Sequence, residues 1–338
     1  MADGVTMNNK FRDEDQGKKE GTALLAEVCR SVCQAAEQEC LPEPSSFSTA
    51  PSEEPGAPVV PSALPLWELN VVDPIEGTAL HFATSRQLRS AAMALLARDD
   101  FSPISVKKQR GIDGSTALHL AAAEGLDDVV EALLARSDFA DAICVLDKDG
   151  YTALHGAAFR GHASCARQLL ASPLFSSELV AAEGRFDARR TRGHWAIEAA
   201  ELYDMSTALH MAAARGHAEL CAEVMAGGLA AANKVNRLGA TALHMAAKGG
   251  HASACSALLK RPEFTAVNAR DARGFTALHW AAQQVSADVC AAILESEDLT
   301  ELDCRDLRGR TAIEIAEEQG HFEVQRLLLR RRGTCIRE

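Results

Sequence analysis

Apolar positions along this chain fall in short bursts, each long enough for two helical turns, separated by Gly, Asn and Asp. Residues 239–260 show the pattern. Leu243, Ala246 and Ala247 lie three and four positions apart, which puts one small apolar face on a short helix, and Gly249-Gly250 ends it. A second burst, Ala254, Cys255, Leu258 and Leu259, predicts a helix from about Ala252 to Leu259. Asn236 and Gly239 supply turn chemistry ahead of the pair, and Thr241 stands at the N-cap, where its hydroxyl can accept an orphan backbone N–H. Helices this short are marginal alone in water, so each pair must bury its apolar face on a neighbour.

The neighbours are supplied by repetition. Thr-Ala-Leu-His occurs at Thr78-His81, Thr116-His119, Thr152-His155, Thr207-His210, Thr241-His244 and Thr276-His279, and an altered seventh copy runs Thr311-Ala312-Ile313-Glu314. The leading threonines are 38, 36, 55, 34, 35 and 35 residues apart, a period that denotes a stacked array of units rather than one closed core. The pattern Thr-Ala-Leu-His-x-Ala-Ala-x-x-Gly-His, followed by paired leucines and an Asn/Asp-x-x-Gly turn, resembles the ankyrin repeat, with Ala in place of the family's Pro in all seven copies. The resemblance covers roughly residues 63–331. It implies an all-α solenoid of stacked helix-turn-helix units with projecting inter-repeat turns, or fingers, and a concave recognition face. It also implies a family that binds proteins and as a rule does not catalyse, and junctions in which each Thr-Ala-Leu-His histidine hydrogen-bonds the backbone of a neighbouring repeat.

Outside the repeats, residues 1–62 read as a disordered region containing an amphipathic helix at about 21–41, with Leu25, Val28, Cys29, Val32, Ala36 and Cys40 on one stripe. A linker from 42 holds seven of the eleven prolines. The helix either caps the exposed edge of the first repeat or is a tethered ligand for something else. The first repeat lacks the Gly-His of the inter-helix turn and has Gln87-Leu88 there. The rhythm breaks in the 55-residue gap, at an irregular insertion of about 180–203 that is either a long finger or a truncated repeat; the finger is favoured because the flanking units can still stack. Thr311-x-x-Glu314 forms a capping box in the closing repeat, and 332–338 is a basic tail.

Composition narrows the function. A net charge of −12 excludes general attraction to phosphate backbones, so nucleic acid is not expected as a partner. No apolar run reaches 18 residues and the first twenty are polar, which gives no membrane partner and a cytoplasmic or nuclear location. Cys165, Cys221, Cys255 and Cys290 recur in second helices with the period of the packing, as small apolar side chains. All eleven histidines follow the repeat pattern and stand on successive layers, so no catalytic, cofactor-binding or metal site is expected. Buried neutral imidazoles would make stability fall as pH drops below about 6.5.

The functional signal is charge and one aromatic. The six inter-repeat turns sum to +8, leaving −20 on the rest of the chain, so a basic finger edge would steer an acidic segment of a protein partner. Its candidates are Arg189, Arg190, Arg192, Lys234, Arg237, Arg270, Arg273 and Arg308. Trp280 joins them: it stands in the series Phe82, Leu120, Gly156, Met211, Met245, Trp280, with Ile315 at the matching place in the seventh copy, exceeds what thin layers need, and belongs to the type most enriched at interface hot spots. The sequence thus reads as an interaction scaffold or adaptor, monomeric by itself. The alternative is a self-regulated or redox-responsive switch in which the N-terminal helix docks on the array.

Overall fold

The computed structural model describes residue 23 and residues 25–31, 72–73, 75–98, 101, 108–137, 139, 143–173, 205–227 and 232–335. The Pro-rich linker and the insertion at 180–203 lie outside the described residues. The chain divides into two compact units, Met1–Ile112 and Asp113–Glu338.

In the first unit a ribbon of β1 (Val72–Asp73) and β2 (Gly77–Thr78) precedes α1 (Ala79–Ser85) and α2 (Arg89–Leu96). The Asp73 carboxylate closes the ribbon by accepting the N–H groups of Ile75 and Glu76 at 2.7 Å. These two-residue strands are an addition to the all-α expectation. Residues 25–31 are helical, and Leu25, Val28 and Cys29 are buried. The Cys29 thiol donates to the Ala79 carbonyl, which ties this stretch to the start of α1.

The second unit stacks helix pairs: α3 (Ala117–Glu124) with α4 (Asp127–Ala135), α5 (Ala153–Arg160) with α6 (Ala163–Ala171), and α7 (Ala208–Arg215) with α8 (Ala218–Gly227). Then come α9 (Ala242–Gly249) with α10 (Ala252–Leu259), α11 (Ala277–Gln283) with α12 (Ala287–Leu294), and α13 (Ala312–Glu318) with α14 (Phe322–Cys335). First helices pack on first helices of the next pair and second on second. The layers are thin because the buried residues are Ala, Leu and Cys, with Leu118, Leu154, Leu209, Leu243 and Leu278 fully enclosed. Phe139 and Phe264, in the turns after second helices, are buried plugs between layers. The closing helix α14 continues through Cys335 into the segment read as a tail.

Each first helix begins at its repeat threonine. Thr78, Thr116, Thr152, Thr207, Thr241, Thr276 and Thr311 are all N-caps in extended conformation. In the first six the histidine three residues on does what a glutamate does in an ordinary capping box. Its Nδ1 accepts the threonine N–H at 3.1–3.3 Å and lies 2.8–2.9 Å from the threonine hydroxyl. In the seventh, Glu314 accepts from Thr311 N–H at 2.7 Å and its own N–H donates to the Thr311 hydroxyl at 3.2 Å.

The turn between the two helices of a pair needs one left-handed residue, and all seven equivalent positions have it. Gly125, Gly161, Gly216, Gly250 and Gly320 adopt φ of 71–86°, and Gln87 and Val285 are held at 57° and 61° in the two repeats without glycine. A left-handed conformation at a β-branched residue is strained; the stack holds Val285 there while 62% of it faces solvent.

Across the 55-residue gap the pairs α5/α6 and α7/α8 pack directly on each other. The Arg215 guanidinium sits 4.0 Å over the Phe159 ring, and Arg167 bridges to Glu219 and Glu223 at 3.2 and 2.9 Å.

Candidate protein-interaction face

Two histidine links join adjacent repeats. Because Nδ1 of the capping histidine accepts a backbone N–H, the ring proton resides on Nε2, and the imidazole is neutral. Nε2 then donates forward to the carbonyl just before the next repeat threonine: His119 to Tyr151 (3.1 Å), His210 to Ala240 (3.0 Å), His244 to Phe275 (3.0 Å) and His279 to Arg310 (3.2 Å). The histidines after the inter-helix turn reach backward, His217 to the Phe159 carbonyl, His251 to Ala214 and His321 to Ala282. Burial lowers the capping rings' affinity for protons, taking His119 down to about 4 and holding His244 and His279 below the usual range; burial acts likewise on His217. The four repeat cysteines are buried, and burial pushes the thiols of Cys221, Cys255 and Cys290 up to about 12. These histidines and the four repeat cysteines are therefore absorbed by the stack. Among the described residues no group of three or more His, Cys, Asp or Glu could hold a metal ion, and no helix is long and apolar enough to cross a membrane.

The fingers are built by one side chain each. Asp147, Asn236, Asp271 and Asp306 each accept the N–H groups two and four residues on, at 2.8–3.0 Å, which folds the tip back on itself. Successive fingers are joined by backbone bonds, Lys148 N–H to Asp113, Ala272 N–H to Leu238 and Leu307 N–H to Arg273. Asn233 and Asn268 add a second seam, each accepting two N–H groups of the following repeat and donating to a carbonyl there. Sequence reasoning missed these asparagines, although their spacing of 35 residues carries the repeat period.

Where fingers meet first helices in the fifth and sixth repeats, a cleft of about 40 Å³ opens between Leu238, Met245, Lys248, Asp271, Arg273 and Trp280. Trp280 is only 7% exposed. Its Nε1–H donates to Asp271 Oδ2 at 2.9 Å, Phe275 meets it edge-on at 5.2 Å, and two cations cover its ring, Lys248 Nζ at 5.0 Å and the Arg273 guanidinium at 5.6 Å from its centroid. The tryptophan thus forms the floor of a cationic cleft rather than a protruding anchor. Lys248 was not among the residues picked out from the sequence; its signal is a cation at the last turn of a first helix, where Ala123, Phe159 and Ala214 stand in earlier repeats.

Of the remaining candidates, Lys234, Arg237 and Arg308 are exposed on fingers. Arg270 is exposed but engaged: its guanidinium donates to the carbonyls of Arg305 and Gly274 and braces the finger. Arg273 and Arg308 occupy equivalent tip positions on consecutive fingers, and among the described residues neither guanidinium has an ionic or hydrogen-bonding partner. Arg167, Arg305, Arg310 and Arg326, by contrast, all face carboxylates. Arg189, Arg190 and Arg192 lie outside the described residues.

Stacked helix pairs with cross-repeat histidine bonds and finger turns define a repeat protein of the helical-hairpin class. The family model for ankyrin repeats matches residues 56–143, 80–179, 194–268 and 263–337, and the chain belongs to that family. Its fold is similar to the crystal structure of the human ASB11 ankyrin repeat domain, at 21% identity and a TM-score of 0.53, over 75% of this chain and 96% of that one. No curated protein matches the sequence.

Proposed function

We propose that this protein is a non-catalytic intracellular scaffold or adaptor, acting in the cytoplasm or nucleus, that binds a partner polypeptide bearing an acidic segment along the first helices and fingers. The observation that carries this reading is the pair Arg273 and Arg308, at equivalent tip positions of two consecutive fingers joined by their backbones, with no carboxylate of their own among the described residues. With no internal ion pair to break, such groups add both steering and specificity when an acidic chain arrives. A stable complex would bury on the order of 1,600 Å². The test is affinity capture with the full-length chain, wild type against Arg273→Glu/Arg308→Glu. A specific partner should be captured by the first and lost, by at least about tenfold, from the second. Equal capture by both would overturn the acidic-segment reading.

The packed stretch 25–31 favours a second reading only as far as docking. In the scaffold it caps the first repeat and its removal leaves partner binding unchanged; in a switch, deleting residues 1–62 raises partner binding. The same capture assay separates them.

A further inference from the structure

The last finger holds one arginine out into solvent, and we infer that this residue, Arg308, is a methylation site whose guanidinium takes a methyl group delivered from a sulfonium donor by a separate arginine methyltransferase. The site goes beyond the partner-binding role and does not depend on it.

A transferase must draw the guanidinium, on its full stem, into a pocket deep enough to meet the donor. The arginine therefore has to stand on a projecting turn, free of internal partners, beside a residue that presents no side chain to the pocket rim. An Arg-Gly pair meets the last condition, and the chain has seven, of which the one at Arg192 lies outside the described residues. Packing rules out five of the other six. The Arg110 side chain lies against Gly77, where an added Cβ would stand 3.1 Å from it. Arg160 faces Glu124 at 3.8 Å, Arg332 faces Asp303 at 3.3 Å, and the Arg215 guanidinium covers the Phe159 ring. Arg273 sits over Trp280, and its glycine is closed in: a Cβ on Gly274 would stand 3.0 Å from both Leu307 N and Arg270 Nη2.

Arg308-Gly309 differs on each count. Leu307, Arg308 and Gly309 are all exposed, Leu307 by 75%. A Cβ on Gly309 would meet nothing within 4 Å, and the Arg308 guanidinium has no ionic or hydrogen-bonding partner among the described residues. The Asp306 carboxylate does not compete for it, since Oδ2 is taken by Arg310 at 2.9 Å and Oδ1 by the N–H groups of Arg308 and Arg310 at 2.8 Å. The backbone beneath is nevertheless fixed, with Gly309 N–H donating to the Asp306 carbonyl at 3.0 Å and Leu307 N–H to that of Arg273 at 3.1 Å. The finger thus presents a free side chain on a firm base.

In the transfer a terminal nitrogen of Arg308 attacks the methyl carbon. The N–C bond forms, the C–S bond breaks with its electron pair left on sulfur as a thioether, and one guanidinium proton passes to a base of the transferase. The methylguanidinium keeps its positive charge and loses an N–H donor, so the mark acts on a bidentate grip and not on long-range attraction.

The test incubates the full-length protein with S-adenosylmethionine carrying a labelled methyl group and a recombinant arginine methyltransferase that takes Arg-Gly substrates. Tandem mass spectrometry then locates the label. It is expected at Arg308, and Arg308→Lys, which keeps the charge but not the guanidinium, should cut uptake by about tenfold. Arg273→Lys should leave uptake unchanged. The urea midpoint of Arg308→Lys should match the wild type, so that a loss of label reports the acceptor and not the fold. No uptake, label at other arginines with Arg308 unmarked, or undiminished uptake by Arg308→Lys would overturn the assignment.

Discussion

At the scale of single residues, the glycine of the inter-helix turn has two separate duties, and the chain contains a natural control for them. A Cβ on Gly216 would stand 2.6 Å from the His251 ring, the ring that bonds the Ala214 carbonyl; a Cβ on Gly250 would meet nothing within 4 Å, because Ser286 follows there in place of histidine. Both glycines are left-handed, at 77° and 76°, so the conformational cost of alanine, about 1 kcal/mol, is common to both. Gly216→Ala should cost a further 1–3 kcal/mol or so through the displaced imidazole and its orphaned carbonyl. Urea denaturation of the two variants measures the difference, and equal losses would contradict the account. The motif Gly-His was legible in the sequence as a helix stop. That its histidine belongs to the neighbouring repeat's turn was not, because only stacking brings residue 251 against residue 216. Nor was it legible that Gln87 and Val285 would take glycine's backbone conformation, since nothing in their own chemistry favours it.

At the scale of the repeat element, the capping histidines and the finger carboxylate of Asp147 titrate in opposite senses. His119, His244 and His279 have folded-state values below the unfolded 6.5, mainly through burial, so their stabilisation is complete above that pH and is lost as pH falls through the window from 6.5 toward 4. The urea midpoint should be clearly lower at pH 5.5 than at pH 7.5. Asp147 works the other way. Burial pushes it up to about 7 against the N–H bonds of Tyr151 and Asp149, with Asp149 and Asp113 adding repulsion, so its ionisation costs stability as pH rises from 4 through 7. Asn236 performs the same turn-closing role without a charge. Asp147→Asn should therefore raise stability at pH 8 and do so progressively less toward pH 5; a gain independent of pH would refute the assignment. The threonine N-caps, the helix pair at 242–259 and the role of the cysteines could be read from periodicity, because local propensity and packing agree there. The forward bonds of the histidines came only through the family resemblance. The asparagine seam of Asn233 and Asn268 escaped notice because a lone polar residue in a turn carries no signal until its partner strand of backbone is in place.

At the scale of the whole molecule, stability is a sum over neighbouring layers, and the 55-residue gap tests this. Since α5/α6 and α7/α8 already pack on each other, removing 20 residues from within 174–204 restores the spacing of the regular repeats and should leave the urea midpoint unchanged. If Arg189, Arg190 and Arg192 contact the partner, the same deletion lowers partner affinity; the two readouts separate packing from recognition. The array itself was legible from the threonine spacings. The proposed binding face was legible only as net charge on fingers, because which arginines brace a finger through backbone carbonyls, as Arg270 does, and which stand without a carboxylate among the described residues, as Arg273 and Arg308 do, depends on register between repeats. The central claim is that recognition runs along the first helices and fingers of the stack and not along its second helices. Amide hydrogen exchange of the full-length chain with and without its captured partner tests that claim most directly. Partner-dependent protection is expected in residues 236–248 and 271–283 and not in the second helices Ala252–Leu259 and Ala287–Leu294. Protection confined to those second helices would contradict the account.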